Sequence, residues 1–199
     1  MIGILLLVIF SFTTLKKDNP KTTLLDGLSS QLEKEILTDK DECLAITVIK
    51  NDTIIYFKGC GHFDKKHKLL PDTSTIFRIG SITKSFTTVL MLKLIEEGYF
   101  KLNDPIEKYV PEIKNLQGYT DSTKITFKQL ASHTSGLERE PSRQDLSFGS
   151  TSEWEHKLLK AIPETKFALK PNTAMLYSNI GYGILGLAIS RAANGSFIK

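Results

Sequence analysis

The sequence predicts an α+β protein in which a mainly helical domain is attached to an incomplete antiparallel sheet. Two apolar, β-branched runs, residues 43–50 and 53–60, flank Asn51-Asp52 and are typical of a β-hairpin. The chain after this hairpin consists almost entirely of segments with helical periodicity or helix-capping residues. Its 199 residues, 41% hydrophobic and 24% charged, are typical of a globular chain of one or two domains.

Residues 1–15 form a separate, largely apolar segment. The run from Met1 to Phe10 is too short to span a bilayer but resembles the hydrophobic core of a signal peptide. The basic pair Lys16-Lys17 follows this run, whereas a signal peptide carries its basic residues in front of it. We expect a signal peptide or a short membrane anchor here, with an incorrectly assigned start codon as the alternative. The protein would then be exported to the periplasm or the extracellular space, and an uncleaved segment would associate with the membrane.

Residues 16–80 are expected to form the N-terminal part of an α/β domain, a helix followed by the hairpin. The helix is predicted over roughly residues 22–38. The apolar residues that recur there at helical spacing are Leu25, Leu28, Leu32 and Ile36.

A two-residue loop at Asn51-Asp52 would pair Cys43 with Cys60, at a position where the two side chains approach closely. In an oxidising compartment these cysteines could form a disulfide, and two reduced thiols are the equally weighted alternative. The core face of the hairpin in this register consists of Leu44, Ile46, Val48, Ile55 and Phe57.

Residues 81–199 are expected to form the mainly helical domain. Capping boxes at Thr126-Phe127-Lys128-Gln129 and Ser152-Glu153-Trp154-Glu155 each predict the start of a helix. The last helix is predicted over about residues 179–193. Residues 138–150 are polar and are predicted to form a mobile loop at the rim of a pocket.

A serine and a lysine open the helix that follows the hairpin. Ser81 comes directly after a glycine, at the predicted N-terminus of an amphipathic helix, where unpaired N–H groups and the helix dipole favour negative charge. Lys84 lies one turn later, within reach of the Ser81 hydroxyl. A lysine in the first turn opposes the helix dipole, so local stability does not explain it. The pair is therefore a candidate nucleophile with its activating base.

The Ser-x-x-Lys spacing alone is a weak indication, because Ser196-Phe197-Ile198-Lys199 is a second copy. Only the first copy opens a long helix, and only it has a candidate partner far downstream, Tyr177-Ser178-Asn179.

Several ordered segments resemble the serine β-lactamase and penicillin-binding-protein superfamily, specifically the branch of class C β-lactamases, D-alanyl-D-alanine carboxypeptidases and Ser-x-x-Lys esterases. The resemblance runs from about residue 22 to the end of the chain. Besides the hairpin and the Ser81 segment, the segments that carry it are Leu102-Asn103-Asp104-Pro105, Tyr109-Val110-Pro111, Ile125-Thr126-Phe127-Lys128-Gln129-Leu130-Ala131-Ser132-His133-Thr134-Ser135-Gly136-Leu137 and Tyr177-Ser178-Asn179-Ile180-Gly181-Tyr182.

The resemblance implies a β-lactamase/transpeptidase-like fold and a role for each of four residues. Ser81 would be the nucleophile, and its backbone N–H would supply half of the oxyanion hole. Lys84 would activate it, and Tyr177 would act as general base and then as general acid. Asn179 would donate a hydrogen bond to the substrate and to Lys84. The expected substrate is a β-lactam, a D-Ala-D-Ala-type or peptidoglycan-like peptide, or a small ester, with no cofactor and no metal.

The third catalytic element of this family, a Lys/His-x-Gly triplet on a late strand, does not occur in the sequence. We therefore interpret the chain as the N-terminal part of a longer enzyme, without the C-terminal strands. The alternative is a truncated, catalytically inactive fragment or a binding paralogue of the family.

Other types of site are less favoured by the sequence. Potential metal ligands at Cys60, His62, Asp64 and His67 fall on a strand end and a lysine-rich loop, so no metal site is expected. His133 has no Gly-x-Ser-x-Gly elbow to partner it, and is expected to lie in a helix-ending turn. The formal net charge is only +4, and no nucleic-acid partner is expected.

Overall fold

Residues 27–34, 43–64, 66–147 and 149–197 are described by the structure, which is a computed structural model. The chain divides into two compact units, Met1–Gly80 and Ser81–Lys199. The predicted signal peptide or anchor lies outside the described residues. Among the described helices, none combines the length and the hydropathy needed to span a bilayer.

In the first unit, residues 27–34 are helical (α1) and are followed by strands β1 (Cys43–Lys50) and β2 (Thr53–Gly61). The predicted helix is thus present over these eight residues, and its remaining positions lie outside the described chain. The strands pair in an antiparallel hairpin, as predicted. The turn residues Asn51 and Asp52 have φ of 50° and 60°. This left-handed backbone is tolerated by Asn and Asp and matches the twist of the strands.

The predicted register is correct for the residues beside the turn and incorrect for those farther along the strands. Ile49 pairs with Ile54, but Val48 pairs with Tyr56, so Ile55 is an extra residue in β2. This β-bulge shifts every later pair by one position, because the bulged strand has two residues opposite one of its partner.

The bulge separates the two cysteines that were predicted to pair. Cys43 lies opposite Gly61, and Cys60 lies opposite Leu44. Since adjacent residues of a strand point to opposite faces, the two cysteine side chains lie on opposite faces of the hairpin. Both cysteines are free thiols in the structure.

The bulge also changes the core face. Tyr56 and Lys58 now share a face with Leu44, Ile46 and Val48. Helix α1 contacts this face, because the hydroxyls of Ser29 and Tyr56 lie 2.6 Å apart and Lys58 forms an ion pair with Glu33. The prediction that Ile55 and Phe57 lie on this core face is wrong, because Ile55 is 50% exposed and Phe57 pairs with Thr47 on the other face.

The described part of the second unit contains four α-helices joined by 3-10 turns: α2 (Thr83–Glu96), α3 (Phe127–Ala131), α4 (Trp154–Ala161) and α5 (Asn179–Ala192). Helix α5 contacts the other three and lies at the centre of the core. A helix that is apolar nearly all round is normally buried, and this one is. Its fully buried residues include Ile184, Leu185, Leu187 and Ala188.

Aromatic and aliphatic side chains complete this core. The rings of Phe100 and Phe127 stack with centroids 4.1 Å apart, and Tyr109 contacts Phe127 edge-on at 5.4 Å. Helix α2 is only partly buried: Met91 packs into the core, whereas Phe86 and Val89 are 67% and 66% exposed.

The two predicted capping boxes have different outcomes. Thr126 and Gln129 exchange side-chain and backbone hydrogen bonds at the start of α3, as predicted. Helix α4 also exists, but it follows a 3-10 turn capped by Ser150, so Ser152 is not its cap.

Gly136 offers a test of backbone packing. It has φ of 76°, and a Cβ at this position would overlap the carbonyl oxygen of Leu169. Gly98 has φ of 84°, but nothing lies within 4 Å of its virtual Cβ. We expect Gly98→Ala to lower the free energy of unfolding by about 1 kcal/mol, the cost of the left-handed backbone alone.

Gly136→Ala should cost at least ~2 kcal/mol more than that, because the backbone must also move. Urea unfolding of both variants measures the difference. Equal losses would show that the loop after α3 adjusts freely.

Candidate active site

Ser81 and Lys84 lie together at the start of α2. Residues Gly80–Ile82 form a single 3-10 turn, and the α-helix begins at Thr83. The sequence predicted the start of this helix at Ser81, two residues earlier. Lys84 Nζ donates a hydrogen bond of 3.2 Å to Ser81 Oγ. The predicted contact between Ser81 and Lys84 is therefore present.

Tyr177 reaches the same serine from the segment before α5. Its neutral hydroxyl donates to Ser81 Oγ over 2.6 Å. The next residue, Ser178, caps α5 by accepting a hydrogen bond from the Gly181 N–H at 2.9 Å. The tyrosine is thus held directly in front of a helix that the core fixes in place.

Asn179 is the first residue of α5 and completes the group. Its Oδ1 accepts a hydrogen bond from Lys84 Nζ at 2.6 Å, the reverse of the predicted direction, because an ammonium group only donates. Lys84 therefore bridges Ser81 and Asn179, and the structure brings together all four residues that the sequence singled out. The ammonium group also lies 4.8 Å from the centroid of the Tyr177 ring.

The surroundings of Tyr177 make its hydroxyl easier to deprotonate than that of an ordinary tyrosine. Burial acts to raise its pKa, but the hydrogen bonds of Lys84 and Ser81 and the charges of Lys84 and Arg139 together outweigh this effect. The pKa of Tyr177 therefore lies below that of an ordinary tyrosine. The Arg139 guanidinium carbon lies 5.1 Å from the ring centroid.

His133 supports Tyr177. Its φ is 58°, and its ring centroid lies 4.4 Å from that of Tyr177. His133 Nδ1 accepts the backbone N–H of Ser178 at 3.1 Å, which requires a ring nitrogen without a proton. Burial, and then the charge of Lys84, lower the pKa of His133, so the neutral ring is favoured.

Glu140 is part of this group, and the sequence analysis missed it. Its Oε1 accepts a hydrogen bond of 2.5 Å from Asn179 Nδ2, and its Oε2 accepts one of 3.3 Å from Ser147 Oγ. The preceding carbonyl, that of Arg139, accepts the backbone N–H groups of Asn179 and Ile180. A loop predicted only as a pocket rim therefore caps α5 and places a carboxylate beside Asn179. The one available signal was its position, three residues after the segment that ends at Leu137.

A cavity of about 240 Å³ adjoins Glu140 and Asn179. Its walls come from the loop before α4, from α4 and from the first turns of α5. The apolar lining consists of Pro141, Leu146, Trp154, Leu158, Ala161 and Ile180. Within the described part of the chain, no group of three or more His, Cys, Asp or Glu side chains is arranged to hold a metal ion.

A model of the Beta-lactamase protein family matches residues 31–199. The chain belongs to this family. Protein flp of Staphylococcus aureus (strain COL) is 35% identical to it over 156 residues, which are 78% of this chain and 31% of that protein. The chain spans about a third of the length of the curated relatives it matches.

Two solved structures have a similar fold. The octameric penicillin-binding protein homologue from Pyrococcus abyssi superposes with a TM-score of 0.66 at 28% identity, over 89% of this chain and 40% of that one. The β-lactamase/D-alanine carboxypeptidase from Yersinia pestis gives a TM-score of 0.61 at 28% identity, over 89% and 51% of the two chains. The predicted superfamily and its α+β, β-lactamase/transpeptidase-like fold are confirmed.

The neutral state of His133 makes stability depend on pH. Its pKa is lowered on folding, so the unfolded chain binds a proton more readily. The free energy of unfolding should therefore decrease as the pH falls through ~6.5, the ordinary value for histidine. In His133→Asn, the amide oxygen can replace Nδ1 as acceptor and the residue tolerates a positive φ.

We expect the loss of stability between about pH 7 and pH 5 to be smaller in His133→Asn than in the wild type. Chemical unfolding at each pH measures it, and His156→Asn, at an exposed position on α4, is the control. The same loss in the wild type and in His133→Asn would contradict this role for the ring.

Proposed function

We propose that the protein is a serine hydrolase that forms an acyl-enzyme on Ser81. The substrate would be a β-lactam, a D-Ala-D-Ala-type or peptidoglycan-like peptide, or a small ester. The observation that carries the proposal is that Ser81 Oγ is hydrogen-bonded at once to Lys84 Nζ, at 3.2 Å, and to the Tyr177 hydroxyl, at 2.6 Å. Membership of the Beta-lactamase family supports it.

A serine hydroxyl needs a neighbouring base before it can attack a carbonyl carbon. In the proposed reaction, the Tyr177 phenolate, stabilised by the ammonium of Lys84, takes the Ser81 proton. The Ser81 Oγ then bonds to the substrate carbonyl carbon, and the negative charge that forms on the carbonyl oxygen faces the N-terminal end of α2. The bond to the leaving group breaks, and the proton on Tyr177 passes to that group.

Release of the acyl group repeats these steps with water. Tyr177 takes a proton from a water molecule, which attacks the acyl carbon, and Ser81 leaves with the proton returned. Lys84 keeps its position through both stages, because Asn179 Oδ1 holds its ammonium at 2.6 Å.

Export belongs to the same proposal, since peptidoglycan-like substrates lie outside the cytoplasm. The apolar run from Met1 to Phe10 supports it. We expect the protein in its source cells to appear in the exported fraction, either without its first residues or attached to the membrane. Protein that keeps Met1 and stays in the cytosolic fraction would contradict this part.

Labelling with a fluorophosphonate and, separately, with a penicillin tests for the acyl-enzyme. Intact-mass and peptide analysis should place the adduct on Ser81. Ser81→Ala, Lys84→Ala and the double variant should be almost equally inactive, because residues that act as a unit are not additive. Ser85→Ala, an exposed serine on the same helix, should label like the wild type.

An adduct on another serine, or undiminished labelling of Ser81→Ala, would refute the assignment of the nucleophile. A folded, full-length protein that reacts with neither reagent would favour a binding paralogue of the family.

Removal of the tyrosine hydroxyl tests the base. Tyr177→Phe keeps the ring beside His133 but loses the contact with Ser81, and we expect ester hydrolysis to slow by about 10²–10⁴-fold. Tyr182→Phe is the matched control, since the Tyr182 hydroxyl donates to the Ala131 carbonyl and not to Ser81. Similar rates for the two variants would exclude Tyr177 as the base.

A further inference from the structure

We propose that Glu140 makes this site prefer acyl groups that carry a positive charge next to the reacting carbonyl, such as a free amine. The inference rests on the proposed acyl transfer at Ser81 and names the class of substrate for it. It depends on the contacts of Asn179, on the distribution of charge and on the adjoining cavity.

Asn179 has a fixed orientation. Its Oδ1 faces the Lys84 ammonium, so its Nδ2 must point the other way, to Glu140 Oε1. Nδ2 carries two hydrogens, and Glu140 takes one of them. A substrate acyl group that accepts the second hydrogen therefore lies directly beside the Glu140 carboxylate.

Charge at the site is divided between two ends. At the Tyr177 end, the Arg139 guanidinium lies over the ring, and the Lys84 ammonium lies between the two ends, bonded to Ser81 Oγ and to Asn179 Oδ1. At the Asn179 end, the half-buried carboxylate of Glu140 is negative. Because Tyr177 would protonate the leaving group, the Tyr177 end receives that group and the Asn179 end receives the acyl group.

Two other charged residues near Glu140 have partners of their own. Lys157 lines the same cavity, and its Nζ lies 3.7 Å from the Glu153 carboxylate. Glu138 is directed to another segment, where its Oε1 accepts the backbone N–H of Lys166 at 3.0 Å. Glu140 is therefore the carboxylate that contacts Asn179.

The cavity provides room for the charged group and its neighbours. Its volume of about 240 Å³ is large compared with a methyl or ammonium substituent, and its walls beyond Glu140 are mainly apolar. An ammonium group can thus meet the carboxylate while an attached aliphatic group packs against Leu158 or Ile180.

Esters with one carbon skeleton and different charge test the preference in the full-length protein. The p-nitrophenyl esters of alanine, isobutyric acid and methylmalonic acid present an ammonium, a methyl and a carboxylate group, respectively, at the same position. The measured quantity is kcat/KM from release of p-nitrophenolate, with intact mass to confirm the adduct on Ser81. The alanyl-to-isobutyryl ratio in the wild type is divided by that in Glu140→Gln, so intrinsic ester reactivity cancels.

We expect the alanyl-to-isobutyryl ratio to fall about tenfold in Glu140→Gln. This change lies between the effects expected from the attraction of two opposite charges in water and near a protein surface. The glutamine can still accept the Asn179 hydrogen bond, so any loss of rate common to both esters cancels in the ratio and the remaining change reports the charge. The methylmalonyl ester should react faster in the variant. Glu138→Gln, which removes the same charge two residues away, should leave the ratio unchanged.

Three results would overturn the proposal. One is an equal fall for the alanyl and isobutyryl esters in Glu140→Gln, which would make Glu140 a residue that only positions Asn179. Another is a wild-type ratio that does not decrease with added salt, since a charge preference at a half-exposed site is screened. This measurement also decides the matter if the variant does not fold. Finally, absence of any adduct on Ser81 would remove the proposed function itself, and the mass measurement distinguishes that failure from the other two.

Discussion

One ammonium group, held by two oxygen acceptors, determines the geometry of the candidate site. Lys84 Nζ contacts Ser81 Oγ at the start of α2 and Asn179 Oδ1 at the start of α5. Hydrogen bonds weaken steeply with distance and angle, so the two helix ends must stay in register for both contacts to persist. The fully buried residues of α5, such as Leu185 and Leu187, provide that rigidity. The packing of the core therefore also fixes the positions of the groups that contact Lys84.

The loop from His133 to Glu140 both caps helix α5 and places charged side chains at the candidate site. The first residues of α5 need partners for their N–H groups, and this loop supplies them. The carbonyl oxygen of Arg139 accepts two of these groups, and that of Glu138 accepts the Ser178 hydroxyl. Once the backbone is held in this way, the side chains of Arg139 and Glu140 point to opposite ends of the site. The charge pattern follows from how a helix is capped.

Local signals allowed much of the fold and the site to be predicted. Asn51 and Asp52 specify a tight turn by themselves, and the Ser-x-x-Lys spacing places Ser81 and Lys84 on one face wherever the helix lies. Tyr177 and Asn179 were identified by their resemblance to a family motif. The errors came from effects that no local pattern records. The bulge at Ile55 leaves both strands with ordinary β residues on either side, so the alternation of the sequence does not reveal it.

Glu140 was missed for a related reason. A glutamate in a polar loop has no periodicity, and its role appears only when the loop is folded against α5. The conformation of the loop that brings Glu140 to Asn179 could not be predicted from the sequence pattern.

The separation of the interacting residues along the chain has a consequence for how the site assembles. Ser81 and Tyr177 are 96 residues apart, and Lys84 and Asn179 are 95 apart. Closing such long loops is entropically costly, and contacts of this range form slowly compared with local helices. During synthesis, α2 can form on the ribosome well before its partners emerge. Ser81 and Lys84 then stay without Tyr177 and Asn179 until α5 docks, so the group of four side chains assembles only when α2 and α5 pack together.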